Sequence, residues 1–327
     1  MFALTLKARG EAEDLRMDTL PTPAPAAGEV LIGVEACGLN PSDFQRARYG
    51  VPEWDWPAVL GLDVAGTVQE VGASVTRFRV GDRVAGHLDI RQRGGFAEYT
   101  VAAEEALAHI PDEITVESAA ALPSAGLTAY QAVVRRLRVE ADDTVLLTGG
   151  AGGVGGFAVQ LAAHVGARVI ATDSGDREQH VRALGAHEFI DFRTEDIRAR
   201  VLELTGGRGV DAVLDTVNSD SATQNIGLLA FGGRIATTAG RPDLETVPPF
   251  SVGPSVHEIA LGAAYARGDA RARQDLGVML EELSALVRDG AVSPMISEVV
   301  PLAAVPTRLM AMSRREVQGK VVYSRSA

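Results

Sequence analysis

Read as a pattern of apolar and polar positions, the chain changes rhythm once. Over the first 120 residues the apolar positions come in short runs between turns. EVLIGVEA (29–36) alternates and is rich in β-branched residues, and VAGTVQEVG (64–72) continues in that style. Glycine, proline and asparagine punctuate the runs at 21–29, 38–43, 80–86 and 92–96. Many short strands with glycine turns predict a barrel-like or sandwich domain. From about Val139 the spacing becomes strand, helix, strand. DTVLLTG (143–149) runs into glycines, and FAVQLAAHVGA (157–167) has helical spacing. RVIATD (168–173), EFIDF (188–192), VDAVLDTV (210–217) and RIATTAG (234–240) read as further strands. Helices are predicted at 178–186 and 196–207. This alternation implies right-handed βαβ crossovers and a parallel sheet. A long helix at 272–290 and a closing strand-like VVYS complete the chain, and VVYS is expected to return to the first domain.

Length and composition narrow the class. At 327 residues the chain exceeds the size at which one core stops growing, so two domains are expected. Hydrophobic residues at 46% and charged residues at 23% are ordinary globular composition. A net charge of −12 argues against a nucleic-acid partner, which would call for a basic stripe. The most apolar stretch, 119–134, is broken by Pro123 and Gly126 and is short for a membrane span. A single cysteine, Cys37, excludes an intrachain disulfide and fits a reducing compartment. The N-terminus is charged too early for a secretory signal. Cytoplasm is the expected address.

The sharpest local signal is GGAGGVGG (149–156), where Gly150, Gly152 and Gly155 fit G-x-G-x-x-G and Gly153 and Val154 complete the loop. It follows a predicted strand and opens a predicted helix. A tight turn tolerates glycine best, and a pyrophosphate needs bare backbone close by. The helix N-terminus then offers unpaired N–H groups and partial positive charge to the anion. Asp173 lies 21 positions beyond Gly152, at the end of the second strand. A carboxylate there accepts hydrogen bonds from an adenosine ribose and repels a 2′-phosphate. Ser174 and Arg177 follow, and an arginine there suits that phosphate instead. The residues leave NADH and NADPH both open.

The order of segments then identifies a likeness. GLNPSDF, PAVLGLDVAGTVQEVGASVTRFRVGDRVAG, GGFAEYTVA, AALPSAGLTAYQAV, TGGAGGVG, RALGA and GKVVY together resemble the medium-chain dehydrogenase/reductase superfamily. The nearest likeness is to its zinc-free quinone oxidoreductase branch, and it covers nearly the whole chain. The resemblance implies an α/β fold with two parts. A GroES-like β domain would take 1–122 and 267–327, and a Rossmann domain with a doubly wound parallel sheet would take 123–266. It also implies an active site in the cleft between them, NADPH as the commoner cofactor, and homodimers.

Zinc-dependent members place a cysteine where this chain has Asn40, a His-Glu pair at Leu62-Asp63, and a cysteine near Pro123-Ser124. Those residues do not supply three thiolate, imidazole or carboxylate ligands, so no zinc is expected. The structural zinc lobe needs four cysteines, and Cys37 reads as a small core residue. In the zinc-free branch, the counterparts of Asn40, Asp43 and Thr128 lie near the nicotinamide. The resemblance thus implies an amide hydrogen bond from Asn40 and a hydroxyl from Thr128. Turn capping by Asn40 and Asp43, and a helix-start hydroxyl for Thr128, are the plainer alternatives. Thr238, Ala239 and Gly240 resemble the segment passing the nicotinamide side. Lys320 reads either as a cofactor contact or as a surface lysine. Tyr49 is the candidate substrate-side donor, and Trp54 and Trp56 either wall the pocket or pack. The expected activity is reduction of quinones or activated enones by NAD(P)H. Reduction of 2-enoyl thioesters on the same scaffold, and dinucleotide binding without turnover, are the alternatives.

Overall fold

The computed structural model describes Met1–Arg267 and Asp269–Ala327. Strands β1 (Phe2–Leu6), β2 (Arg16–Thr19) and β3 (Glu29–Gly38) lead to helix α1 (Pro41–Tyr49). Strands β4 (Ala58–Val59), β5 (Asp63–Val71), β6 (Arg83–His87), β7 (Tyr99–Ala103) and β8 (Leu107–His109) follow. Helices α2 (Val116–Ala120) and α3 (Pro123–Tyr130) come next. The alternating stretch is β9 (Thr144–Thr148), α4 (Gly153–His164), β10 (Arg168–Asp173), α5 (Glu178–Ala183), β11 (Glu188–Asp191) and α6 (Ile197–Leu204). It ends with β12 (Val210–Asp215), α7 (Ser219–Ile226), β13 (Leu229–Thr237) and β14 (Ser255–Glu258). Helices α8 (Ala263–Ala266) and α9 (Ala270–Arg288), strand β15 (Ile296–Val300), helix α10 (Val305–Ser313) and strand β16 (Lys320–Ser324) close the chain.

These elements form two compact units. One comprises Met1–Leu127, Leu261–Gly290 and Pro294–Ala327; the other comprises Thr128–Ala260 and Ala291–Ser293. The seams fall after Leu127 and Ala260, where the reading along the chain expected 122 and 266.

The first unit is organised on β3, whose ten residues are long enough to serve several partners. β5 pairs antiparallel along one side of it, while β7 takes its first half and β16 its last residues on the other. The closing strand therefore does return to the first unit, Val322 opposite Gly38. The larger sheet runs β15-β16-β3-β5-β6-β8, and a smaller one runs β2-β1-β4. With partners on both edges and both faces covered, β3 is buried almost throughout, so the alternation in EVLIGVEA marks a strand without marking a wet face. Gly66 is required where β5 crosses β3, because a Cβ there would stand 2.0 Å from the Gly33 carbonyl oxygen. The core gathers Leu4, Leu6, Ile32, Leu39, Leu60, Phe96 and Val321. Cys37 belongs to it, and burial pushes its thiol well above the usual range, so it is the inert core residue expected.

The second unit is a six-stranded sheet in the order β11-β10-β9-β12-β13-β14, every pair parallel. This is the doubly wound arrangement, and its order reverses between β9 and β12. Apolar runs such as TVLLT and RVIATD are buried on both faces, as parallel strands under helices must be. The core includes Leu146, Ile170, Ile190, Val201, Val213 and Ile235. Two boundaries differ most from the reading along the chain. Helix α4 begins at Gly153 and not at Phe157; its first turn is rich in glycine, whose poor helix propensity hides the start from a reading of the sequence. The strand expected at 234–240 runs Leu229–Thr237, which leaves Thr238–Gly240 in a loop. Among the described residues, no helix is long and apolar enough to cross a membrane.

His87, at the end of β6 and in register with Asp63, is 4% exposed, and its Nδ1 has no hydrogen-bond partner among the described residues. Burial holds its imidazole below the usual range; Asp63 pulls the other way and Arg46 adds to the push. A folded state that keeps a histidine neutral binds fewer protons than the unfolded chain below about pH 6.5. Its contribution is therefore complete above that pH and is lost as the pH falls toward the depressed folded value. His180 and His257 are depressed in the same direction, also chiefly by burial. The expected outcome is a thermal midpoint that drops on acidification from pH 7 to 5.5, and drops less in His87→Leu. Equal drops in the two proteins would show that His87 is not one of the groups responsible.

Candidate functional site

In the second unit the carboxyl ends of all six strands share one edge, and the glycine loop, Asp173 and Thr238–Gly240 lie along it. β9 delivers the glycine loop, β10 delivers Asp173, and β13 delivers Thr238–Gly240. Gly149 has φ +69, the left-handed turn that only glycine adopts easily. A Cβ on Gly155 would lie 2.0 Å from the Gly149 carbonyl oxygen, so the loop folds onto its helix only without one. Gly152 caps α4, and a Cβ there would meet only the Gly149 oxygen, at 3.3 Å. That one approach aside, its bareness leaves open space beside the loop. Gly153, Val154 and Gly155 form the first turn of α4, whose N–H groups have no acceptor within the helix. A backbone cradle and the positive end of a 12-residue helix fit a pyrophosphate.

Asp173 faces this loop directly. Its Oδ2 accepts the Ala151 N–H at 2.8 Å and its Oδ1 accepts the Ser174 N–H at 2.8 Å. Nothing local to Asp173 or Ala151 along the chain reports the first bond. Ser174 is buried, and Arg177 pairs with Asp176 at 3.1 Å. Thr238 donates its N–H to the Asp215 carbonyl at 3.0 Å, which fixes the start of the Thr238–Gly240 loop. Thr128 lies half-buried on α3.

The first unit contains a buried polar cluster built from four separate stretches. Asn40 caps α1, Asp63 opens β5, Ser124 lies in the first turn of α3 and Lys320 opens β16. Asp63 is wholly buried, Lys320 is 2% exposed and Asn40 is 4% exposed. Asp63 Oδ1 accepts the Ser124 N–H at 2.9 Å and its hydroxyl at 2.5 Å. Asp63 Oδ2 accepts from Asn40 Nδ2 at 2.8 Å and lies 3.6 Å from Lys320 Nζ. Lys320 Nζ donates to Asn40 Oδ1 at 2.7 Å and to the Leu39 carbonyl at 3.2 Å.

This geometry changes several expectations. Lys320 is not a surface residue. Asn40 Nδ2 gives its hydrogens to Asp63 at 2.8 Å and to the Gly38 carbonyl at 3.3 Å, both within the cluster. Asp43, at the third position of α1, completes the capping begun at Asn40: its carboxylate accepts the Asn40 N–H at 2.9 Å, the Gly61 N–H at 3.2 Å and Arg46 at 2.6 Å. Burial pushes the Asp43 carboxyl above its usual range, against the pull of the Arg46 guanidinium. Tyr49 ends α1 and is 66% exposed. It stands a nine-residue helix away from Asn40, roughly 13 Å at ~1.5 Å per residue, so the two do not meet at one reacting atom. Trp54 is buried and donates its indole N–H to the Ile90 carbonyl at 2.7 Å, which is packing; Trp56, edge-on to it, is 40% exposed.

Asp63 and Ser124 entered the reading along the chain only as poor metal ligands. The signal for Asp63 was an isolated carboxylate inside the apolar LGLDVAG. The donor set at these positions does not fit zinc. It holds one carboxylate, and a lysine ammonium already lies beside it.

Comparison with known proteins agrees with both halves. Residues 26–112 match the alcohol dehydrogenase GroES-like domain, and residues 153–284 match a domain described as zinc-binding dehydrogenase. The chloroplast envelope quinone oxidoreductase homolog of Arabidopsis thaliana is 37% identical over 64% of this chain, and that match spans 65% of the relative's length. A quinone oxidoreductase of Pseudomonas aeruginosa is 32% identical over 91% of each chain. The solved quinone oxidoreductase of Coxiella burnetii superposes with TM-score 0.84 at 28% identity, over 99% of each chain. Likeness that runs through both sheets, at this identity and coverage, means that the chain belongs to the medium-chain dehydrogenase/reductase superfamily, in its quinone oxidoreductase branch.

Proposed function

We propose that this protein reduces quinones or activated enones with NAD(P)H and does so without zinc. The observation that carries the proposal is a pairing of two features. A glycine loop opens a helix at the switch point of a doubly wound sheet, and a saturated amide–carboxylate–ammonium cluster stands where metal-dependent relatives have ligands. A divalent cation there would meet the Lys320 ammonium at short range, and like charges a few ångströms apart in a buried site repel strongly.

The roles follow from the residues. The loop 149–155 and the first turn of α4 hold the pyrophosphate through backbone N–H groups, while Asp173 faces the adenosine ribose. Thr238, Ala239 and Gly240 line the nicotinamide side, with Thr128 supplying a hydroxyl. The bound reduced nicotinamide supplies the hydride. The protein's share is to orient the acceptor and exclude water. Without a Lewis acid, only hydrogen-bond donors polarise a carbonyl, and quinones and enones tolerate that because charge spreads over the acceptor. A reducing compartment such as the cytoplasm fits the single cysteine, and the homodimer is the assembly that the family resemblance implies.

Replacing Gly152 with valine is expected to weaken dinucleotide binding at least tenfold (~1.4 kcal/mol) while leaving the circular dichroism spectrum unchanged. The open space beside Gly152 is what the side chain would take. Calorimetry giving the parent affinity would show that the loop does not hold the cofactor.

In Asp173→Ser the kcat/KM ratio of NADPH to NADH should rise by about tenfold or more, whichever cofactor the parent prefers. A carboxylate about 4 Å from a phosphate opposes it by on the order of 4 kcal/mol per unit charge in a partly screened site. An unchanged ratio would mean that Asp173 does not face the ribose.

With benzoquinone or an enone as acceptor, NAD(P)H oxidation should be fast and should survive dialysis against a chelator. Oxidation of ethanol or propanol should be slow. Rapid alcohol oxidation that the chelator abolishes would overturn the reductase reading. Cofactor binding with no turnover of any acceptor would favour a non-catalytic dinucleotide-binding protein.

A further inference from the structure

Lys320 is one of two lysines among the chain's 31 basic residues, and it is the buried one. Its ammonium points at three oxygens: Asn40 Oδ1 at 2.7 Å, the Leu39 carbonyl at 3.2 Å and Asp63 Oδ2 at 3.6 Å. We propose that Lys320 is a built-in cation that, with Asp63, positions Asn40 and Ser124 for the reductase reaction. It gathers oxygens from distant stretches about one buried positive charge, as a bound metal ion would. The inference rests on the reductase reading of this site.

The orientation of the Asn40 amide carries the argument. Its nitrogen faces a carboxylate and its oxygen faces an ammonium. Exchanging the two ends would set oxygen against carboxylate and NH₂ against NH₃⁺, so the charge pair leaves the amide one orientation. Asp63 does the same for Ser124, taking both its N–H and its hydroxyl on one oxygen. Stability alone does not call for this arrangement. The desolvation of two buried ions roughly cancels their attraction, and an apolar pair of equal volume holds strands as well. An apolar pair cannot orient an amide or a hydroxyl. A compact point charge suits the place better than a guanidinium, whose planar fork needs more room and more acceptors. Lys320 and Asp63 are thus positioning residues, acting through Asn40 and Ser124.

The test uses the full-length protein with benzoquinone and NAD(P)H, and compares K320M, D63N, K320M/D63N and K320R. Losses of about 10–100-fold in kcat are expected for K320M and D63N, as when an outer partner of a site residue is removed. The dissociation constant for NAD(P)H, read by its fluorescence, should stay within about threefold of the parent. Because both residues act through the same amide, the double variant should be little worse than the poorer single one, and K320R should recover part of the loss. An unchanged kcat with only a lowered thermal midpoint would overturn the proposal, since the pair would then be structural alone. A dissociation constant rising in step with the loss of kcat/KM would overturn it as well, making Lys320 a cofactor ligand. If K320M does not fold, D63N and K320R carry the same comparison. A parent that turns over no acceptor sinks the reductase reading. Thermal midpoints of the four variants then still read the pair, and additive shifts there would overturn the internal cation.

Discussion

Asp63 has no contact with water, and much of the first unit is arranged around that fact. A carboxylate taken out of water must be met by donors, or it becomes one of the largest single penalties a fold can carry. Its donors come from α1, α3 and the C-terminal strand. The strand that supplies Lys320 pairs with β3 at Gly38, two residues before Asn40. Cross-strand register therefore places the ammonium next to the amide. The C-terminal strand is held against β3 by sheet hydrogen bonds and by the Lys320–Asp63 ion pair.

The second unit follows a different constraint. Its strands are all parallel, so every strand's carboxyl end lies on one edge, and every helix that follows starts there. Unsatisfied N–H groups and partial positive charge concentrate on that edge whatever the side chains are. The glycines of 149–155 are the sequence's response. One glycine makes the turn, one lets the helix close against the strand and one keeps space open. Changing any of the three to alanine removes a different thing.

Much of this was legible in the chain. The βαβ rhythm, the glycine loop, the long helix after the second unit and the return of VVYS all rest on local periodicity or on a motif, and local signals survive into the fold. The site was legible in part. Asn40 and Lys320 could be singled out, but their 280-residue separation hid the contact, since nothing local to either residue reports the other. The bond from the Asn40 amide to Asp63 was hidden for the same reason. Asp63 lies in another strand, and a capping motif of the form N-P-S-D describes the backbone without saying what else its side chains meet. Tyr49 follows GLNPSDF closely in sequence, and that closeness says nothing about a helix carrying it to an exposed end. The start of α4 was missed because helix propensity counts glycine as a breaker, while close packing against Gly149 demanded it.

One device recurs in both units. Asp43 accepts the N–H groups of Asn40 and Gly61, Asp63 that of Ser124, Asp173 those of Ala151 and Ser174, and Asp215 that of Val217. Each lies at a strand end or a helix start, where backbone donors have no partner in a ladder or a helix turn. A short carboxylate is well suited to this. It loses little rotamer freedom, offers two oxygens with two lone pairs each, and makes charge-assisted bonds to N–H groups. Asp215 shows the device at its fullest: 1% exposed, it also takes the Ser221 hydroxyl at 2.5 Å and the Asn225 amide at 2.7 Å. An asparagine at any of these places would keep the shape and turn one acceptor into a donor, setting N–H against N–H. The acidic character of the chain is thus partly internal. Several of its negative charges fix the loops on which the proposed cofactor and acceptor contacts stand, and Asp63 is the one of them that the buried Lys320 answers.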